Sequence, residues 1–198
     1  MFENNRLQDY ALPDPTGLPA SERHDCGKLG AMSDWARTRY GDPCRECGYS
    51  WSISLDEAAE IVAATPASYR EALEGHDPSA RHPGLGWSAR GYVCHVTDNL
   101  RIWAERLAGA ALGGDTEVAG YDNDLLATAR SYEKVPIEGA LWSLRHAADA
   151  WAEAFRMAQE AGVVFQHPER GEESVLDIGR TNAHDAFHHG WDIDRSLT

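Results

Sequence analysis

The chain has 198 residues, of which 42% are hydrophobic, and a formal net charge of −14 from 18 basic and 32 acidic side chains. Such a charge repels polyanions, and no Lys/Arg cluster forms a local patch that overcomes it, which excludes nucleic acid as a partner. No segment approaches the ~20 apolar residues of a bilayer span, and the N-terminus lacks a basic start followed by an apolar run, so the expectation is a cytoplasmic protein without a membrane partner.

Residues 1 to about 27 carry Pro13, Pro15, Gly17 and Pro19 among polar residues and read as an irregular arm. A short helix over Met32 to Tyr40, with Ser33 as its N-cap, needs docking to be stable. The turn Asp42-Pro43-Cys44-Arg45-Glu46-Cys47-Gly48 then presents a CxxC pair. Ser54-Leu55-Asp56-Glu57 has capping-box spacing, and Leu55, Ala58, Ala59 and Val62 follow at helical intervals. Pro66 is expected to kink or restart this first long helix, which continues through Tyr69 and Leu73 to Gly75.

After a Pro/Gly-rich connection to Gly86, Trp87-Ser88 opens a second helix. Val93, Val96, Leu100, Trp103 and Leu107 repeat in it at three- and four-residue steps, with His95 beside that seam. Gly113-Gly114 ends it. A short helix around Asp124 to Arg130 precedes Pro136, which opens a third helix carrying Leu141, Leu144, Ala148, Trp151, Phe155 and Ala158 and closed by Gly162. Val163-Val164-Phe165 is strand-like, and the following His167-Pro168 and Gly171 read as a turn rather than a sheet. Ser174 to Asp177 caps a fourth helix that runs to about Arg195. Four amphipathic helices with little strand imply an all-α four-helix bundle over residues 51–198, with residues 1–50 as an irregular N-terminal extension.

The chemistry concentrates in the fourth helix. Residues four apart lie on neighbouring turns, about 40° apart around the axis, so His184 and His188 can converge on one metal ion. Such a pair holds a divalent metal weakly and needs a third ligand, for which His95 is the candidate. On pattern alone the pair reads equally as a solvated flank, and His95 by itself as a satisfied core histidine. His24, His76, His82, His146, His167 and His189 read as surface or loop residues; His189, five from His184, is poorly offset for sharing a ligand. Asp192, four after His188, is a candidate to hold a ligand imidazole or carry a proton, and Asp98, three after His95, reads as an orienting partner or a solvated carboxylate. Trp87, Trp103, Trp191 and Arg195 are candidates for substrate binding, the tryptophans alternatively being core.

Cytosolic thiols stay reduced, so the spacing of the cysteines points to metal or thiol chemistry. Cys44 and Cys47 could join Cys26, with His24 as a fourth ligand, in a structural zinc site fastening the N-terminal arm; a redox pair is the alternative. Cys94 reads as a small packing residue.

The run Gly86-Trp87-Ser88-Ala89 with Tyr92-Val93-Cys94-His95-Val96-Thr97-Asp98, followed by Ala183-His184-Asp185-Ala186-Phe187-His188-His189-Gly190-Trp191-Asp192-Ile193, resembles the DinB/YfiT-like superfamily. Members carry a tryptophan and a capped start before one histidine on the second helix, and an HxxxH pair on the fourth. Cys44-Arg45-Glu46-Cys47-Gly48-Tyr49 resembles the CxxCG opening of one branch. The likeness covers about residues 44 to 195. It implies a four-helix bundle that binds zinc, nickel or a similar ion through His95, His184 and His188. Members include thiol-dependent isomerases and S-transferases that act with mycothiol or bacillithiol.

Three neutral imidazoles leave a bound ion its full charge, which acidifies a thiol or a water in the fourth position. The expectation is therefore a metal-dependent enzyme that activates a low-molecular-weight thiol against a small-molecule substrate, with metal-assisted hydrolysis or a non-catalytic binding module as alternatives. Unpaired bundle faces also make a homodimer an expectation.

Overall fold

The computed structural model describes residues 35–198, so the expected Ser33 cap and the ligand candidates His24 and Cys26 lie outside the described residues. Among the described residues six α-helices form in chain order: α1 (Trp35–Tyr40), α2 (Leu55–Leu73), α3 (Ala89–Ala111), α4 (Asn123–Arg130), α5 (Ile137–Ala161) and α6 (Val175–Leu197). Two short strands, β1 (Val164–His167) and β2 (Gly171–Ser174), join α5 to α6. Each of α2 and α3 packs against both α5 and α6, so α2, α3, α5 and α6 form a four-helix bundle with α2 and α3 diagonal. Among the described residues, no helix is long and apolar enough to cross a membrane.

The helix starts follow the capping signals in the sequence. Ser54 and Glu57 form a reciprocal capping box at α2, and Ser174 and Asp177 form another at α6. The Ser88 hydroxyl accepts from the Gly91 amide at the start of α3. Gly162, at φ 65, closes α5 in the left-handed conformation that glycine adopts without penalty. Pro66, by contrast, neither breaks nor restarts α2, which runs through it. The expected turn after Val163-Val164-Phe165 is also more than a turn: β1 and β2 pair antiparallel from Val164↔Ser174 to His167↔Gly171. Its second strand, Gly-Glu-Glu-Ser, has no β-branched residue, and pairing with β1 supplies what propensity does not.

The core runs the length of the bundle, with Val62, Leu100, Leu144, Trp151, Ile178 and Ile193 fully buried. Helix α6 is fixed from several sides. The Tyr69 hydroxyl on α2 donates to the Ala186 carbonyl at 2.6 Å. The Trp151 indole on α5 donates to Asn182 Oδ1 at 2.7 Å. The segment before α2 is stapled to α6 as well: Tyr49 Oη donates to the Arg180 carbonyl at 2.9 Å, and Arg180 Nε donates to the Ile53 carbonyl at 2.8 Å. The described part of the N-terminal extension, residues 35–50, is therefore docked on the bundle, with Ala36, Cys44 and Tyr49 buried.

Close helix packing leaves Gly179 no room for a side chain: an added Cβ would sit 2.6 Å from Phe155 Cζ and 2.8 Å from Cε2. Gly179→Ala is expected to cost about 1–3 kcal/mol through overpacking, less up to ~1 kcal/mol regained from helix propensity. Thermal denaturation checks this, and a Tm equal to or above that of the parent protein contradicts it.

Candidate metal centre

Helix α6 turns about 100° per residue, so His184 and His188 share one face while Asp185 and His189 share the next. The two faces meet different neighbours. The CxxC turn covers the first, and α3 packs against the second.

On the α3 side, His95 Nε2 lies 3.3 Å from Asp185 Oδ1, and His189 Nε2 lies 3.5 Å from the same oxygen. Two metal–ligand bonds of about 2.1 Å meeting at a tetrahedral angle place their donor atoms about 3.4 Å apart, so one shared ion fits the spacing of these three groups. The surrounding residues hold them in place. Asn99 Nδ2 donates to the other Asp185 oxygen at 2.8 Å. Trp87 lies against the His95 ring with centroids 4.9 Å apart, and Tyr92 stacks on His189 at the same separation. Asp192 Oδ2 lies 2.9 Å from His189 Nδ1, the outer carboxylate contact that fixes the tautomer of a ligating histidine.

Charge is concentrated in this cluster. Burial opposes ionisation of Asp185, but the adjacent His95 and His189 more than offset it and hold the carboxyl well below its ordinary range. Burial likewise disfavours the charged form of His189, yet Asp185 and Asp192 outweigh it and raise the ring to about 9. The surface position expected for His189 is therefore corrected: its ring is half-buried and paired with two carboxylates.

On the other face, Cys44, Cys47, His184 and His188 bring one donor atom each to within 4.8 Å of one another. Cys44 Sγ faces His188 Nδ1 at 3.9 Å. Burial lowers the His184 ring to about 4, with His188 adding to the effect, and burial followed by the nearby His189 also lowers His188. Both are thus neutral imidazoles, the form that binds metal. The Cys47 thiol is pushed up to about 12, mainly by burial, with Cys44 adding to a rise that a backbone hydrogen bond opposes.

The expected trio of His95, His184 and His188 is thus divided between two clusters. Helical phase is the reason: α3 reaches the face one residue later than the HxxxH pair, where Asp185 and His189 stand. Asp192 lies between the clusters, 2.9 Å from His189 Nδ1 and 3.7 Å from His188 Nε2. Asp98 is neither solvated nor directed at His95. It is buried, accepts from Tyr132 Oη at 2.7 Å and pairs with Arg101 and Arg130. Cys94 is buried in the core.

A cavity of about 640 Å³ opens beside the α3-side cluster, lined by His95 and Asp185 together with His184. Three arginines, Arg39, Arg106 and Arg170, also line it. Arg106 and Arg170 lie over the Trp103 ring at 4.9 and 5.6 Å, and Arg170 and Arg39 each lie 5.5 Å from Trp35. Of the substrate-binding candidates, Trp103 lines this cavity, whereas Trp87 backs His95. Trp191 and Arg195 stack on each other at 4.3 Å, beside His188 and Asp192 respectively. Asp185, His189 and the three arginines were not singled out from sequence. Asp185 and His189 have the same four-residue spacing as His184 and His188, which is the signal that could have found them.

The DinB superfamily model matches residues 61–193. No curated protein matches. Among solved structures, the fold is similar to that of YfiT from Bacillus subtilis, described as a probable metal-dependent hydrolase with an unusual four-helix bundle topology. The TM-score is 0.58 at 18% identity, over 73% of this chain and 86% of that one.

In protein stripped of metal, the His189 ring is expected to titrate near 9 rather than 6.5. Because the folded value is raised, its pairing contributes stability fully below about 6.5 and loses it as pH rises through about 9. An NMR titration of the ring protons follows this directly, and Asp192→Asn should lower the midpoint. A midpoint at or below 6.5 in the parent protein contradicts it.

Proposed function

Because the chain belongs to the DinB superfamily, as the match over residues 61–193 shows, we propose that it is a metal-dependent enzyme whose metal is held by His95, Asp185 and His189. The observation that carries this reading is the geometry of the trio: one carboxylate oxygen 3.3 and 3.5 Å from two imidazole nitrogens, with two of the three groups lining a cavity. Three protein ligands, two of them lining a cavity, leave a coordination position for a reactant, which is the arrangement of catalytic rather than structural sites. When bound there, a divalent ion, zinc or nickel, supplies the positive charge that lets a thiol or a water lose its proton near neutral pH.

The chain's own residues supply the rest. Asn99 orients Asp185 through its second oxygen, and Asp192 fixes the His189 ring. Trp87 and Tyr92 restrict the two rings from outside. Arg39, Arg106 and Arg170 line the cavity together with Asp122, Glu169 and Asp185, so its wall offers guanidinium groups that can pair with a carboxylate of a reactant among carboxylates that offset their charge.

The reaction proposed is transfer or isomerisation dependent on a low-molecular-weight thiol, as the likeness to thiol-dependent members of the superfamily implies. There a thiolate would bond to an electrophilic carbon of a small molecule, a leaving group departing with the electron pair in transfer and the thiol being released again in isomerisation. Metal-assisted hydrolysis is the second reading, favoured by the description of YfiT.

Metal-loaded protein is expected to consume thiol with at least one member of a panel of electrophiles, and Asp185→Asn to abolish that turnover. Asp192→Asn should reduce activity or metal affinity roughly 10–100-fold. Turnover of esters or amides without added thiol supports hydrolysis instead. Full activity in Asp185→Asn contradicts the assignment of the site.

A further inference from the structure

We propose that Cys44, Cys47, His184 and His188 form a second, closed zinc site that fastens the N-terminal turn to α6. It lies on the face of α6 adjacent to that of Asp185 and His189 and does not depend on the reading of the catalytic site.

The geometry starts from the turn itself. The Cys44 amide donates to the Tyr49 carbonyl at 2.8 Å, and the Gly48 amide donates back to the Cys44 carbonyl at 2.9 Å. This closes a tight knuckle that points both sulfurs at α6. Gly48 lies at φ 77, in the left-handed region that the knuckle requires and that glycine occupies freely. Four donors from Cys2His2 are the common composition of a structural zinc site. Bonds of about 2.3 Å to sulfur and 2.0 Å to nitrogen place tetrahedral donors about 3.4–3.8 Å apart. The four donors here already lie within 4.8 Å of one another, with Cys44 Sγ and His188 Nδ1 at 3.9 Å, so small side-chain rotations close the shell.

A second observation points to a ligand. His184 is 5% exposed, and its Nε2 is a buried polar atom with no hydrogen-bond partner. Around that ring stand Tyr40, Tyr49 and Trp51, with centroids 4.7, 5.1 and 4.5 Å away. Leaving a buried ring nitrogen unsatisfied in an aromatic cage is costly, and a metal bond removes that cost. His188 divides its two nitrogens in the way a ligating histidine does. Nδ1 faces Cys44, while Nε2 faces the carboxylates of Glu46 at 3.5 Å and Asp192 at 3.7 Å.

The charges balance. On binding, Cys44 and Cys47 each release a proton to solvent, and the two thiolates neutralise one zinc ion, so the buried site carries no net charge. With four protein ligands no position remains for a reactant, which makes the site structural. Its consequence lies next door: Tyr40 and Arg39, just before the knuckle, line the cavity, so the zinc holds part of the cavity wall in place.

Metal analysis of tag-free protein, equilibrated with zinc and desalted, is expected to give two ions per chain. Cys44→Ser with Cys47→Ser should lose one, and Asp185→Asn should lose the other while keeping the thiolate site. Cobalt(II) replacing zinc in the parent protein gives a readout that needs no variant. Sulfur-to-cobalt charge-transfer bands in the near ultraviolet and intense visible bands of a tetrahedral ion are expected, and they should survive in Asp185→Asn. Absence of thiolate–cobalt bands in the parent protein overturns the proposal. So does undiminished metal content in the double cysteine variant.

Discussion

A rotation of about 100° per residue separates His184 and His188 from Asp185 and His189, and most of the chemistry of this protein follows from that rotation. One helix presents two sets of donors that could hold a metal ion on adjacent faces, each with the four-residue spacing that brings side chains together on neighbouring turns. Each set is completed from a different part of the chain. His95 arrives from α3, and the cysteine knuckle arrives from the segment before α2. Asp192, another turn along α6, is close to a histidine of each set and links them electrostatically.

The remainder of the fold keeps α6 still enough for this to work. Tyr69 from α2 and Trp151 from α5 each place a hydrogen bond on α6 within a few residues of the donors, and Tyr49 and Arg180 tie the knuckle segment to it. Gly179 lets α6 approach Phe155 without a Cβ in the way. The β1–β2 hairpin contributes in a different manner. It carries Arg170 to the cavity, where the buried Glu173 pairs with it at 2.9 Å and Trp35 and Trp103 flank it. Hairpin, α1 and α3 thus each bring one arginine to the cavity, whose wall also carries Asp122, Glu169 and Asp185.

The bundle was largely legible in the sequence. Capping residues such as Ser54, Ser88 and Ser174 act locally, and the apolar spacing of α3 and α5 reports the buried face directly. The restart expected at Pro66 is absent because an interior proline costs a helix only locally, and burial of Val62, Thr65 and Tyr69 around it keeps α2 continuous. The HxxxH segment was legible too as the densest cluster of ligand-type side chains. What the sequence does not contain is which face of α6 meets α3. Measured against His184, His189 has the wrong offset; measured against Asp185, it has the right one. Choosing between them requires knowing how two helices about ninety residues apart are rotated against each other, which is a property of packing. The knuckle was likewise visible as CxxC, but its histidine partners lie 140 residues downstream at His184.

Crystals grown with zinc and measured on both sides of its absorption edge test this account most directly. The expected anomalous difference map shows two peaks per chain on adjacent faces of α6, one enclosed by Cys44, Cys47, His184 and His188 and the other contacted by His95, Asp185 and His189. A single peak bound jointly by His95, His184 and His188, or the absence of a peak at both clusters, contradicts it.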